Sequence, residues 1–459
     1  MENVHQVAHR VQRLLIDRLP RLRALTIGSV VDPRKPRGRR HDFYDGVLAL
    51  LAGALCLRSS LRGVETLSAE IGLGRDGAGI SDGALGHLLK LCDEHTFDEL
   101  LVRFNKDAIR RGQFKPSGLN WHWVTIDGKY STLDHHGGGL GQKVLQNDGV
   151  YWKLGYLRAS LVSAASRPAL GQWAMAPHET NETDPDKIKH TGEVTNLRPF
   201  IASLRAQYGD LVSNFTLDAG LWSKEVYLDL DEQGFGVFAG LKGNKPDLHN
   251  EVVRVLNIER KRTAPLAEMP WQAHKGGLLR RRLWRSTALD GWNGWKNLRQ
   301  VVVVEQTWSE TDEDGKPCGK TETELRYFVT NASTGMLHPE HLLLLVRRHW
   351  SIENDCNWTF DLEFGEDDRA WSTQNKSMLA LGVLRMVAYN LLQHMRKSHV
   401  QVVSATGKKS PRPWADLSER IRDALRDMYK TIGPLAVAWS RIGTRNSGAG
   451  GPGLQLSTS

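Results

Sequence analysis

Two aspartates and a glutamate have the residue types and settings that hold hard divalent cations: Asp127 in WHWVTIDGK, Asp218 in NFTLDAG and Glu353 in RRHWSIEN. Each aspartate closes a short apolar run that reads as a strand, and the glutamate stands in a helical run. Carboxylates gathered from strand ends and a nearby helix offer anionic oxygen, which Mg²⁺ or Mn²⁺ prefers. Two such ions, about 3.5–4 Å apart, clamp a phosphodiester, activating one oxygen and steadying the other as it leaves. Each residue also has a plainer account. Asp127-Gly128 is a common turn pair, Asp218 would cap a following helix, and Glu353 would pair with Arg347 or His349 on a helix surface. Spacing alone does not select Glu353 over Asp361, Glu363 or Glu366.

The elements that must position these acids are legible from pattern. Helices are expected over Val4 to Leu25, Asp42 to Leu57 and Arg62 to Ile71, then from Ser81-Asp82 to Cys92, and from a Thr96 cap to Arg111. DPRKPRGRR, at 32–40, reads as an extended basic arm. From Trp121 strands take over: Lys153 to Ser166 and Pro168 to Ala176 as a paired ribbon, a helix over Thr195 to Gln207, and a helix from Ser223 to Glu232 before the strand Gly234 to Lys242. This alternation predicts an α/β layer. LLRRRLWRST, NLRQVVVVEQTWSE and ELRYFVTN then form a small β-rich insertion, followed by helices over His338 to Trp358 and Asn375 to Arg396. The Gly/Ser-rich residues 441–459 have the composition of a disordered tail.

With 459 residues the chain exceeds one ordinary core, so two or three domains are expected. The formal charge of +9 points to a polyanionic partner, and its distribution sharpens the hint. Residues 1–60 carry eleven Lys/Arg against five Asp/Glu, and residues 271–300 carry seven against one. Such clusters bind nucleic acid through phosphate neutralisation. Four scattered cysteines, without CxxC pairs or zinc spacing, speak against a disulfide framework or structural zinc. The apolar run Val47 to Leu57 is too short to span a bilayer, and no export signal opens the sequence, so a cytoplasmic protein is expected.

In order along the chain, DPRKPRGRRHDFYDGVLALLAGAL, SDGALGHLLKLCDEHTFDELL, IDGK, LVSAASRPALGQ, TLDAG, GLKGNKPDL, HKGGLLRRRLW and RRHWSIENDCNWTFDLEFGEDD resemble segments of one family. It is that of bacterial insertion-sequence transposases of the DDE type, in the subgroup that includes the H-repeat-associated proteins. The resemblance covers roughly residues 30 to 395, and its HWxIEN…ED motif is the most specific part.

The resemblance implies an RNase H-like catalytic core, with a helical N-terminal region and a β-rich insertion before the glutamate helix. The implied domains are a helical, basic, DNA-binding region (1–115), the first part of the core (116–270), the insertion (271–332), the last part of the core (333–400) and a C-terminal helical segment with its tail (401–459). It implies that Asp127, Asp218 and Glu353 bind two Mg²⁺ or Mn²⁺ ions. Those ions would serve cleavage at element ends and transfer of the freed 3′-hydroxyl into target DNA. The partners implied are double-stranded terminal inverted repeats and target DNA, and a homodimer in the synaptic complex.

Expected DNA contacts are Arg34, Lys35, Arg37, Arg39 and Arg40 in the arm, then Lys129, Lys242 and Lys245 near the aspartates. Arg280, Arg281, Arg282 and Arg285 would contribute from the insertion. Where the wider superfamily has arginine four positions before the glutamate and lysine seven after, this chain has His349 and Phe360. The phosphate contact therefore falls to His349, Arg348 or Arg347. Tyr130-Ser131 and a glycine-rich insert from His135 to Asp148 are further departures. Two side readings are a base-stacking role for Trp292 and Trp295, weighed against core packing, and metal ligation by His135 and His136, weighed against a plain loop. Rival readings keep the fold and drop chemistry: a relic acting only as a DNA-binding protein, or a nuclease that never joins strands.

Overall fold

The computed structural model describes residues 4–35, 41–133, 140–146, 149–177, 191–221, 224–243, 245–274, 276–312, 314–367, 371–372, 374–404, 407 and 409–433. Arg37, Arg39, Arg40, His135, His136 and the 441–459 tail lie outside them.

Five helices come first: α1 (Val4–Ser29), α2 (Phe43–Leu55), α3 (Leu61–Glu70), α4 (Asp82–Leu91) and α5 (Asp98–Arg110). Side-chain oxygens of Asp42, Ser60 and Ser81 accept from the first-turn amides of α2, α3 and α4, satisfying donors a helix start leaves open. Thr96 does not cap α5, whose cap position is Phe97; its hydroxyl instead bonds Asp93 in the preceding turn. The strands and later helices follow in order: β1 (Val124–Leu133), β2 (Gly141–Gln146), β3 (Gly149–Leu161), β4 (Ala169–Ala174), α6 (Glu193–Tyr208), β5 (Asn214–Leu217), α7 (Lys224–Glu232), β6 (Gly236–Leu241) and α8 (Pro246–Arg262). Then come β7 (Ala267–His274), β8 (Gly277–Ser286), β9 (Gln300–Thr311), β10 (Pro317–Thr330), α9 (Pro339–His349), a π-helical turn at Ile352–Asn357, α10 (Trp358–Leu362), α11 (Asn375–Ser398), the short pair β11 (Val402–Val403) and β12 (Lys409–Ser410), and α12 (Trp414–Ile432). Among the described residues no helix is long and apolar enough to cross a membrane.

The chain forms two compact units. One comprises residues 1–113, 131–154 and 359–459 and is mainly helical. Its centre is α2, almost wholly buried, with α11, whose hydroxyl of Ser377 bonds the Leu89 carbonyl of α4. Helix α11 was expected with the catalytic core. It packs instead on α2, α4 and α5, because nearly every position from Leu379 to Leu392 is buried and needs helical neighbours on all sides.

The second unit, residues 114–130 and 155–358, is α/β. β1 is flanked by β3 and β5; β3 also pairs with β4, and β5 pairs with β6. The β1–β5 and β5–β6 pairs are parallel, and β3–β4 is antiparallel. Strands β7 to β10 form an antiparallel meander. It is not set apart from the sheet, because Tyr327 to Thr330 of β10 pair antiparallel with Phe238 to Leu241 of β6. Helix α9 packs over a core of Trp123, Phe238, Leu283, Val302 and Phe328, where the Phe238 and Phe328 rings stack at 5.0 Å.

A second correction concerns Asp127. The Asp-Gly pair is no turn: β1 runs on through it to Leu133, so Asp127 is the fourth residue of a ten-residue strand. Asp218 does follow the last residue of β5.

Candidate active site

Register alone sets the two aspartates side by side. In the parallel pairing of β1 with β5, Thr125 faces Thr216 and Ile126 faces Leu217; the next position along each is an aspartate. Side chains alternate along a strand, so Asp127 shares a face with Thr125, and Asp218 with Thr216. Helix α9 docks on that face through His349, which is 5 % exposed. Its Nδ1 lies 2.6 Å from the Thr216 hydroxyl and 3.5 Å from that of Thr125. Burial pushes the imidazole down to about 4, so the ring is neutral at physiological pH. One helical turn beyond His349, at the level of the aspartates, stands Glu353. The Thr125–Thr216–His349 layer thus docks the end of α9 one residue pair below the two aspartates.

The acids sense one another. Burial, then Glu353 and Glu193, raise the Asp127 carboxyl to about 7. Glu353 is raised by partial desolvation and then by Asp218. Glu193, the first residue of α6, is raised by burial and then by Asp218, with a hydrogen bond from Tyr130 opposing the shift. This fourth acid escaped the sequence reading, since nothing in spacing or motif marks it. It leans against Gly128, where a Cβ would overlap its carboxylate, which gives the glycine beside Asp127 a steric reason. Lys242 Nζ lies 3.8 Å from Asp218 and is two-thirds exposed. Among the described residues no three His, Cys, Asp or Glu side chains are already gathered tightly enough to hold a metal ion. Asp361, Glu363 and Glu366 belong to the other unit.

Asp127 is held from behind. Asn357, in the same π-helical turn as Glu353, donates from Nδ2 to Asp127 Oδ2 at 2.9 Å. Its Oδ1 accepts from Nη1 of Arg158, a fully buried guanidinium, at 3.2 Å. A guanidinium only donates, so it fixes which way the amide faces and points the NH₂ at the carboxylate. The Glu353–Asn357 spacing of four was a visible signal for this residue. Asn357→Ala leaves the buried Arg158 short of an acceptor and is expected to cost about 1–3 kcal/mol in urea unfolding; a variant as stable as the wild type would contradict the relay.

The expected DNA contacts divide sharply. Arg348 is buried and donates to the carbonyls of Val162 (3.2 Å), Ser163 (2.5 Å) and Ser117 (2.5 Å), which removes it from the surface. His349 is spent on the threonines, and Lys129 is only 7 % exposed. Arg34 is engaged with Asp32 and the His41 carbonyl, while Lys35 is exposed. Along β8, alternation separates the arginines. Arg280 sits over Trp271, Arg282 pairs with the buried Glu305 that Arg260 also holds, and Arg285 bonds Gln300 and the Leu337 carbonyl. Arg281 shares the face of Arg285, opposite Arg280 and Arg282, and lines a cleft of about 510 Å³ with Arg167, Arg326, Arg347, Trp350 and Glu353. Lys245 stands at the start of α8 beside Trp292; Trp295 is buried, bonded to Asp231 and edge-on to Tyr227, a core role.

No family model matches the chain. Two proteins of Escherichia coli (strain K12) match it at 31% identity over 98 residues: one named "H repeat-associated putative transposase YhhI", and YbfL, whose name gives no activity. That stretch is 21% of this chain and spans about a quarter (24%) of each relative's length. Over this stretch the chain is thus distantly similar to a protein named as an H repeat-associated putative transposase.

Proposed function

We propose that the second unit is the catalytic core of a DDE-type DNA transposase, with Asp127, Asp218 and Glu353 as its acids. What supports this is the β1–β5 register, which sets Asp127 and Asp218 side by side on one sheet face, and the mutual electrostatic influence of Glu353 with each of them. The strand order β4-β3-β1-β5-β6, with β5 and β6 parallel to β1, supports reading the sheet as RNase H-like. The donor set fits Mg²⁺ or Mn²⁺, for it is carboxylate oxygen without thiolate, and the acids' raised proton affinity is what a cation would relieve. Asp127, Asp218 and Glu353 would hold two such ions, which when bound supply the Lewis acidity for phosphodiester cleavage and transfer. The chain's own part is positional: Asn357 and Arg158 orient Asp127, His349 docks the helix that carries Glu353, and the exposed Lys242 and Arg347 with the half-buried Arg281 receive the backbone of double-stranded DNA. Synapsis of two element ends would bring two copies of the chain together.

The test is a supercoiled plasmid carrying the DNA that flanks the coding sequence, incubated with the purified protein and Mg²⁺ or Mn²⁺. Nicking followed by strand-transfer product is expected. Nicking without transfer would make it a nuclease. DNA binding without any cleavage in either metal would sink the catalytic reading. Within it, Gly128→Ala is expected to fold normally, since only the tip of a flexible glutamate must move. By shifting Glu193 against Asp127 it should still lower single-turnover nicking about 10²-fold, the scale of a 1 Å misplacement. Unchanged nicking would detach Glu193 from the site.

A further inference from the structure

We infer that Arg326, on β10, is the phosphate-binding cation of this site, and that with Arg281 and Arg347 it forms a track for one DNA strand running past Glu353. The inference rests on the DNA-directed reading above and names the part of the surface that meets the backbone.

Two clefts open beside the acids. The first, of about 510 Å³, has Glu353 in its wall together with Arg281, Arg326 and Arg347. The second, of about 360 Å³, has Asp218 in its wall with Lys242, His349 and again Arg326. Arg326 and Trp350 are the residues common to both, so they form the ridge between the glutamate side and the aspartate side. The guanidinium lies 4.7 Å from the centre of the Trp350 ring, a contact that restrains its plane. Its ion pair is with Glu324, whose side chain is 60% exposed. A solvent-exposed pair of this kind is weak and yields readily to a phosphate.

The three arginines reach the first cleft from separate elements. Arg281 comes from β8 on the face opposite Arg280 and Arg282, Arg347 is the exposed residue of the last turn of α9, and Arg326 comes from β10. Arg281 has no carboxylate among the groups that shift it: after burial, the influences on it are the like charges of Arg347 and Arg326. Natural proteins gather unneutralised cations at a cost, and a polyanion is what offsets that cost. The opposing charge within the cleft is Glu353 itself and Asp355, the latter paired with Arg167. A planar fork beside two acids suits bidentate capture of non-bridging phosphate oxygens. It also explains how the site works without an arginine four residues before Glu353. That place is filled by His349, which docks the helix, and the cation arrives from the neighbouring strand.

The test uses the full chain and a fluorescein-labelled 30-base-pair duplex, with binding read by anisotropy in EDTA across a KCl series. The slope of log K against log salt is expected to fall by about 0.9 for Arg326→Gln and by nearly three times that for the Arg281/Arg326/Arg347→Gln triple variant. Arg254→Gln, an exposed arginine of α8 paired with Glu251, should leave it unchanged. In single-turnover cleavage at saturating DNA, Arg326→Gln should lose about 10²-fold, and Arg254→Gln should not. Circular dichroism and thermal midpoints close to wild type would show that the variants fold. Wild type that binds and cuts DNA, with a triple variant of identical slope and rate, overturns this assignment and leaves the catalytic reading standing. Wild type that shows no salt-dependent DNA binding overturns both.

Discussion

Asp127→Asn is expected to end metal-dependent nicking, lowering it at least about 10³-fold, while making the metal-free protein harder to unfold at pH 8. On the proposed function the loss follows from removing one of the three carboxylates that would hold the cations. The gain follows from what the native state does to that carboxyl. Burial first, then Glu353 and Glu193, lift it from 3.8 to about 7. A group that holds its proton more tightly folded than unfolded opposes folding once it must ionise. The cost is absent below about pH 4, grows between about pH 4 and 7, and is constant above. At 1.36 kcal/mol per unit the scale is ~2–4 kcal/mol. Asparagine keeps the shape and still accepts from Asn357, yet never ionises. The gap in thermal midpoint between variant and wild type should therefore open over that window in EDTA. MgCl₂ should close it by raising the wild type alone. A gap that is the same at pH 5 and pH 8 would show that Asp127 carries no such strain.

That coupling of instability to function also marks where the sequence was readable. The strands and helices around TLDAG and RRHWSIEN are legible because each is a run whose apolar period matches its element. Asp127 was placed at a turn because Asp-Gly usually makes one. The pairing of β1 with β3 and β5 overrides that local preference, and no single stretch of sequence contains this information. Likewise the meander of β7 to β10 has the composition of an insertion; only the pairing of Tyr327 with Leu241 shows it continuous with the sheet. Basic residues were least legible. Arg280, Arg281 and Arg282 are alike as letters, and strand alternation sends them to opposite faces with different fates. Glu193 and Arg326 went unnoticed because each reaches the acids from an element carrying no motif.

Arg348 shows how large that difference in fate is, and its removal is expected to destabilise the fold by about 2–5 kcal/mol without weakening DNA binding by the folded protein. The guanidinium ties α9 to the carbonyls of Ser117 and of the consecutive Val162 and Ser163, two segments of the second unit remote from it in sequence. Burial, with Arg167 and Arg347 nearby, lowers it to about 10, so it remains charged at neutral pH. From its ordinary 12.5 that shift corresponds to roughly 3 kcal/mol of desolvation and repulsion. Against it stand three charge-assisted bonds at about 1.5–3 kcal/mol each, and the carbonyls that lose them become dry acceptors. The bonds win, so Arg348→Met should unfold at lower urea, with Arg348→Lys in between because one ammonium cannot reproduce the fork. The salt slope of DNA binding should match wild type at temperatures where both variants are folded. A variant of wild-type stability but reduced slope would put Arg348 on the phosphate and reverse the partition between buried and DNA-facing arginines.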